Sequence, residues 1–177
     1  MIQRVKEILD GLGVRYAVIG AMAMAARGFP RFTLDFDLLT TDKRVLDSAT
    51  WEQLVRDGIA VDVRKGDFDD PLAGVVRVGD PGEVDVVVGK WTWEQRIVEG
   101  AEPLQIAGTT LPVAKAGDLI LMKLNAGGIK SRLDVLGLLE VGPREQLIAE
   151  VESKLGELPS EAERDARAMW AEILSEA

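Results

Sequence analysis

Residues 75–88, VVRVGDPGEVDVVV, constrain the fold more tightly than any other stretch of the chain. Valines alternate with other residues on either side of Asp80-Pro81-Gly82, the period-two pattern of a strand with one buried face. Proline at the first central turn position and glycine at the second favour a type II turn. The stretch therefore predicts a β-hairpin, with Val84, Val86 and Val88 on one face and Glu83, Asp85 and Val87 on the other.

Upstream, residues 1–12 predict a helix with Ile2, Val5, Ile8, Leu9 and Leu12 on one face. RYAVI (15–19) reads as a short strand ended by Gly20, and AMAMAAR (21–27) as a helix stopped by Gly28 and Pro30. A second strand is expected at 31–39. Residues 42–57 read as helical, with Thr50 as N-cap before WEQLV. IAVDVR (59–64) reads as a strand and GDFDDPLAG (66–74) as a polar loop. A helix near 91–99 and a strand pair around 103–113 come next, then helices at 116–126, 129–140, 144–156 and 160–175. Strands come mainly first and helices last. The fold class expected is α/β (α+β): a mixed-sheet core over 1–113 and a helical C-terminal region over 114–177, packed on that core.

The chain has 177 residues, 47% of them hydrophobic, which suits one globular domain. It holds no apolar run of the roughly 18 residues that a membrane span needs. MIQRVKEILDGLGV reads as an amphipathic helix rather than a signal peptide, because acids interrupt it. The sequence has no cysteine and no histidine. Disulfides, Cys/His zinc sites, Ser-His triads and cysteine nucleophiles are thereby excluded, and a cytoplasmic setting is expected. Any chemistry must rest on carboxylates, lysine, arginine, hydroxyls, backbone amides and a hard metal ion. The net charge of −9 argues against non-specific nucleic-acid binding. From Arg144 onward nine acids face four bases, so the tail carries −5 and the remainder −4.

RFTLDFDLL (31–39) places two aspartates, Asp35 and Asp37, in a strand-like run. Alternation sends Phe32, Leu34, Phe36 and Leu38 to one face and Arg31, Thr33, Asp35 and Asp37 to the other. Two readings are open: the wet face of an ordinary strand, or half of a metal site. Repulsion between the carboxylates does not decide, being about 0.6 kcal/mol in water and about 2.5 at an effective dielectric of ~20.

Two neighbours bear on the choice. Gly20-Ala21 joins a strand directly to a helix, where backbone N–H groups are free and glycine lets a phosphate approach. Asp85 can stand beside Asp35 and Asp37 if its strand neighbours theirs. Three converging carboxylates call for a cation, and Mg²⁺ is held by a few carboxylates together with substrate phosphates. One or two such ions would activate an attacking hydroxyl and hold a leaving pyrophosphate. Asp85 could also accept the acceptor's proton.

VIGAMAMAARGFPRFTLDFDLL resembles the active-site signature of the nucleotidyltransferase superfamily (the polymerase-β-like group), and more narrowly that of small prokaryotic nucleotidyltransferases related to AbiEii-type toxins. The resemblance spans roughly residues 14–140. It implies a phosphate turn at Gly20 and Ala21, flanking roles for Arg31 and Thr33, and metal-binding catalytic acids at Asp35, Asp37 and Asp85. In LPVAKAGDLILMKLNAGGIKSRLDV, Lys123 matches a helix lysine of that group, and Lys130 and Asp134 match parts of the basic-acidic segment after it. Two departures stand out: Ala21 replaces a glycine or serine, and Gly128 and Ser131 replace arginine and aspartate.

Lys123 has two readings, a snorkelling lysine and a phosphate counter-charge in nucleotide binding. Trp91 and Trp93 read as packing residues, the GDFDDP loop as solvated acid, and the C-terminal helices as a packed cap or partner surface. The expected function is Mg²⁺-dependent transfer of a nucleoside monophosphate from a nucleoside triphosphate to an acceptor, with release of pyrophosphate. The acceptor is left open between a tRNA end, a protein hydroxyl and a small molecule. The alternative is a catalytically silent module of the same fold, acting in binding or as a toxin–antitoxin partner protein.

Overall fold

The computed structural model of the chain describes residues 1–30, 33, 35–80 and 82–176. The chain divides into two compact units, one comprising residues 1–23 and 31–114 and the other residues 24–30 and 115–177.

The first unit is built on a seven-stranded sheet. Its strands are β1 (Ala17–Ile19), β2 (Phe36–Thr40), β3 (Val61–Lys65), β4 (Gly74–Val78), β5 (Val84–Val88), β6 (Glu102–Ile106) and β7 (Thr109–Val113), in the spatial order β3-β4-β5-β2-β1-β7-β6. β4 and β5 pair antiparallel, as the valine alternation predicts, and β6 and β7 form a second antiparallel pair. β2 lies parallel to β5 and antiparallel to β1. The sheet is therefore mixed, with β2 and β5 side by side at its centre. The turn type expected at 80–82 involves Pro81, which lies outside the described residues.

One face of the sheet is the core. Leu38 on β2, Val76 and Val78 on β4, and Val84, Val86 and Val88 on β5 are fully buried. α1 (Ile2–Gly11) buries Val5 and Leu9, one helical turn apart, and α4 (Thr92–Gly100) buries Trp93 and Ile97 with the same spacing. Buried aliphatic side chains at alternate positions are what hold the strand register, because a one-residue slip would turn them all to solvent.

Two local expectations need correction. β1 begins at Ala17 and β2 at Phe36, so Asp35 precedes its strand. Arg31, Phe32 and Leu34 lie outside the described residues. Thr50 is not an N-cap. Its hydroxyl donates to the Arg44 carbonyl at 2.9 Å, and α3 (Glu52–Arg56) starts after Trp51 with no side-chain cap. The caps are acidic instead: Asp42 accepts from the Arg44 N–H and Asp47 from the Ala49 N–H, each opening a short 3₁₀ turn. Trp51 is fully buried, and its indole N–H donates to the Val45 carbonyl at 2.7 Å.

α2 (Gly20–Ala26) continues from β1 without a gap and carries the chain from the first unit into the second. The second unit otherwise consists of α5 (Ala116–Ala126), α6 (Gly128–Val141), α7 (Arg144–Lys154) and α8 (Ser160–Glu176). Gly127 and Gly128, both at positive φ, make the α5–α6 connection. Lys154 on α7 donates to Asp118 on α5 at 2.6 Å and to Glu150 at 2.5 Å, so a half-buried ammonium ties the two helices together. Among the described residues, no helix is long and apolar enough to cross a membrane.

Candidate active site

The hairpin and the β2–β5 pairing place a row of side chains across the sheet. Asp37 is the register partner of Asp85 on the parallel neighbour and of Ile19 on the antiparallel one. Asp85 is in turn opposite Arg77 on β4. Register partners point to the same face, with Cα atoms roughly 5 Å apart. Ile19, Asp37, Asp85 and Arg77 thus form one line on the face opposite Val84, Val86 and Leu38. The hydrophobic residues fix the register, and the register places the acids.

β1 ends beside this line. Gly20 has φ +65, a left-handed conformation that costs glycine little. A Cβ at residue 20 would overlap Oδ2 of Asp37. The Asp37 carboxylate therefore occupies the space a side chain would take, at the turn where β1 becomes α2. Ala21 comes next, a half-buried residue of that helix.

Asp85 is partly enclosed, its side chain 31% exposed. Burial raises its pKa above the ordinary carboxylate value; the nearby Arg77 guanidinium opposes the rise and the Asp35 carboxylate adds to it. That the charge of Asp35 reaches Asp85 puts the third acid in the same neighbourhood. Asp35 itself is exposed, and its N–H donates to Thr33 Oγ1 at 3.2 Å. Arg31 lies outside the described residues.

Among the described residues, no group of three or more carboxylates stands close enough to hold a metal ion unaided. Mg²⁺ does not need such a cage, since one or two carboxylates with substrate phosphates are its usual protein site. Asp37 and Asp85 fit that requirement: both donate oxygen, share a face and are partly open to solvent. With no histidine or cysteine in the chain, the donor chemistry suits a hard cation.

No protein-family model matches the chain, and no curated protein matches it. Solved structures do. The antibiotic-resistance factor ANT(2'')-Ia in solution superposes with a TM-score of 0.58 at 17% identity, covering 86% of this chain and 88% of that one. The crystal structure of ANT(2'')-Ia in complex with adenylyl-2''-tobramycin gives 0.58 at 16% identity, covering 86% and 93%. The chain has a nucleotidyltransferase fold. In that fold the Asp37–Asp85 row and the Gly20 turn lie together in the first unit.

Lys123 belongs to the second unit. Its ammonium is 2.7 Å from Oδ2 of Asp134 on α6, and that aspartate's side chain is 3% exposed. The lysine is thus neither simply snorkelling nor uncommitted: its charge serves a buried acid. Lys130, which the resemblance grouped with Asp134, is exposed.

The tryptophans separate. Trp93 is buried, as expected of a packing residue, whereas Trp91 is 44% exposed. Trp91 lines an open cleft of 970 Å³ together with Lys43, Lys65, Phe68 and Lys90, beyond the far ends of β2 and β5 from the acids. The GDFDDP acids are not simply solvated. Asp67 accepts from the N–H groups of Asp69 and Asp70, and Asp70 accepts from that of Asp67. The Lys90 ammonium closes the loop from below on the carbonyls of Asp67, Phe68 and Asp70.

Arg77 was missed by reading the sequence. Its signal was present in the hairpin: strands paired about a turn centred on residue 81 bring 77 opposite 85.

Proposed function

We propose that the chain is a nucleotidyltransferase that moves a nucleoside monophosphate from a nucleoside triphosphate to an acceptor hydroxyl. The observation that carries this reading is the in-register Asp37–Asp85 pair beside Gly20, on a nucleotidyltransferase fold. Asp37 and Asp85 would hold Mg²⁺, with Asp35 close by and a second ion shared among the same acids. Bound there, the metal supplies positive charge against the triphosphate and the departing pyrophosphate. The Gly20-Ala21 turn receives the phosphates, and the missing side chain of Gly20 lets the Asp37 carboxylate stand against that turn. Thr33 and Arg31 flank the nucleotide, as the sequence resemblance implies. The acceptor oxygen forms a bond to the α-phosphorus while the bond to the bridging oxygen breaks, and its proton passes to a carboxylate oxygen of Asp85.

ANT(2'')-Ia holds an adenylylated small molecule. That precedent and the net charge of −9 favour a small-molecule or protein hydroxyl over a tRNA end as acceptor. The AbiEii-type resemblance adds a partner protein as controller, within a cytoplasmic toxin–antitoxin pair.

Purified protein incubated with each labelled triphosphate, Mg²⁺ and cell extract should release pyrophosphate and label an acceptor. The Asp35→Asn, Asp37→Asn double variant should keep its fold and lose both signals; equal activity in that variant refutes the assignment. A silent binding module is the second reading, in which the same acids and turn bind nucleotide without turnover. Triphosphate binding in calorimetry without pyrophosphate release selects it.

A further inference from the structure

We infer that Arg77 is a displaceable counter-ion of this site, holding the Asp85 carboxylate until a divalent cation takes its place. The inference rests on the metal-site reading above and assigns regulation to it.

Four observations support it. Arg77 is the cross-strand partner of Asp85, so the hairpin delivers a guanidinium to that carboxylate by backbone geometry alone. The Nε–Oδ2 distance is 3.6 Å, beyond hydrogen-bond range, so the attraction is one of charge rather than a bidentate lock. Arg77 is also 51% exposed, so its head can swing into water without unpacking the sheet. Asp62, the partner of Arg77 on its other side, accepts from Arg64 Nε at 2.7 Å and is already paired. The charge of Arg77 is therefore directed at Asp85.

A cation arriving between Asp37 and Asp85 meets a unit positive charge already beside one of its ligands. Arg77 lowers metal affinity in the free protein and leaves Asp85 once the metal arrives. In the absence of metal it balances part of the negative charge that Asp37 and Asp85 bring side by side.

Mn²⁺ binding to the intact chain, followed by calorimetry and by the electron paramagnetic resonance of free Mn²⁺, tests this without reference to turnover. Arg77→Met should tighten Mn²⁺ binding about fivefold at low ionic strength, and the gain should shrink as salt rises. Arg77→Lys should stay close to the wild type. Asp37→Asn should weaken binding in either background. Affinity that is unchanged or weaker in Arg77→Met, with wild-type binding intact, overturns the counter-ion and leaves the metal site standing. No saturable Mn²⁺ binding in either protein overturns both. Thermal unfolding of Arg77→Met with a wild-type transition shows that the comparison is between folded proteins.

Discussion

The carboxylate of Asp37 lies where the side chain of residue 20 would begin. Gly20 is thus excluded from substitution twice, by its φ of +65 and by the acid against it. Gly13 separates the two effects, because it has φ +64 and a methyl added there would meet nothing within 4 Å. Gly13→Ala should cost about 1 kcal/mol from backbone strain. Gly20→Ala should cost that and about 1–3 kcal/mol more from overpacking. Urea midpoints measure both. Shortening the acid with Asp37→Ala should recover the excess in Gly20→Ala; equal penalties at positions 13 and 20 would show that the carboxylate gives way freely.

Much of this arrangement could be read from the chain. Valine alternation in VVRVG and EVDVVV gave the hairpin and the inward set Val84, Val86 and Val88, because a half-buried strand imposes its period directly on the sequence. The order of strands in the sheet gave the rest: that β2 lies parallel to β5, and so that Asp37 meets Asp85, depends on chain crossings with no local signature. The missed residues share that cause. Asp42 and Asp47 cap 3₁₀ turns too short for periodicity to reveal, and Thr50 resembled a cap only because a helical segment comes after it. The pairing of Lys123 with Asp134 needs the α5–α6 connection at Gly127-Gly128, which brings together residues on two different helices.

Lys123 and Asp134 form a pair whose acid is almost fully buried. Removing one partner of such a pair costs more than removing both, since it strands a charge away from water. Lys123→Met should destabilise the protein by about 2 kcal/mol, a value reduced because the lysine side chain is 23% exposed. Lys123→Met combined with Asp134→Leu should be more stable than Lys123→Met alone. A denaturant double-mutant cycle reads the coupling, and strictly additive losses would mean that the two charges do not depend on each other.

Glu94 is buried at the start of α4, and its carboxylate accepts from the N–H groups of Lys90 at 2.7 Å and Trp91 at 2.8 Å. Gly89 leaves the room it needs. Glu94→Ala leaves two part-buried N–H donors without partners and should cost about 2 kcal/mol. Glu94→Gln keeps an acceptor and should cost less. Thermal unfolding of the two variants ranks them, and an equal loss would place the contribution in packing rather than in the cap.

Tyr16 is the chain's sole tyrosine and gives a clean optical test of burial. Burial, reinforced by the Asp10 carboxylate, raises its pKa from 10.0 to about 12. Because the folded-state value is raised, the unfolded chain gives up the phenolic proton first as pH increases. The stability contribution is whole below pH 10.0, where both states are protonated, and is lost as pH rises towards about 12. Tyrosinate absorbance of the folded protein should therefore show its midpoint near 12. Tyr16→Phe should remove that absorbance and flatten the part of the alkaline stability loss that wild type shows in the same window. Lysine and arginine titrations remain in both proteins, so the difference between the two curves isolates the phenol. A midpoint near 10.0 in protein that circular dichroism shows to be folded would mean that Tyr16 is open to water.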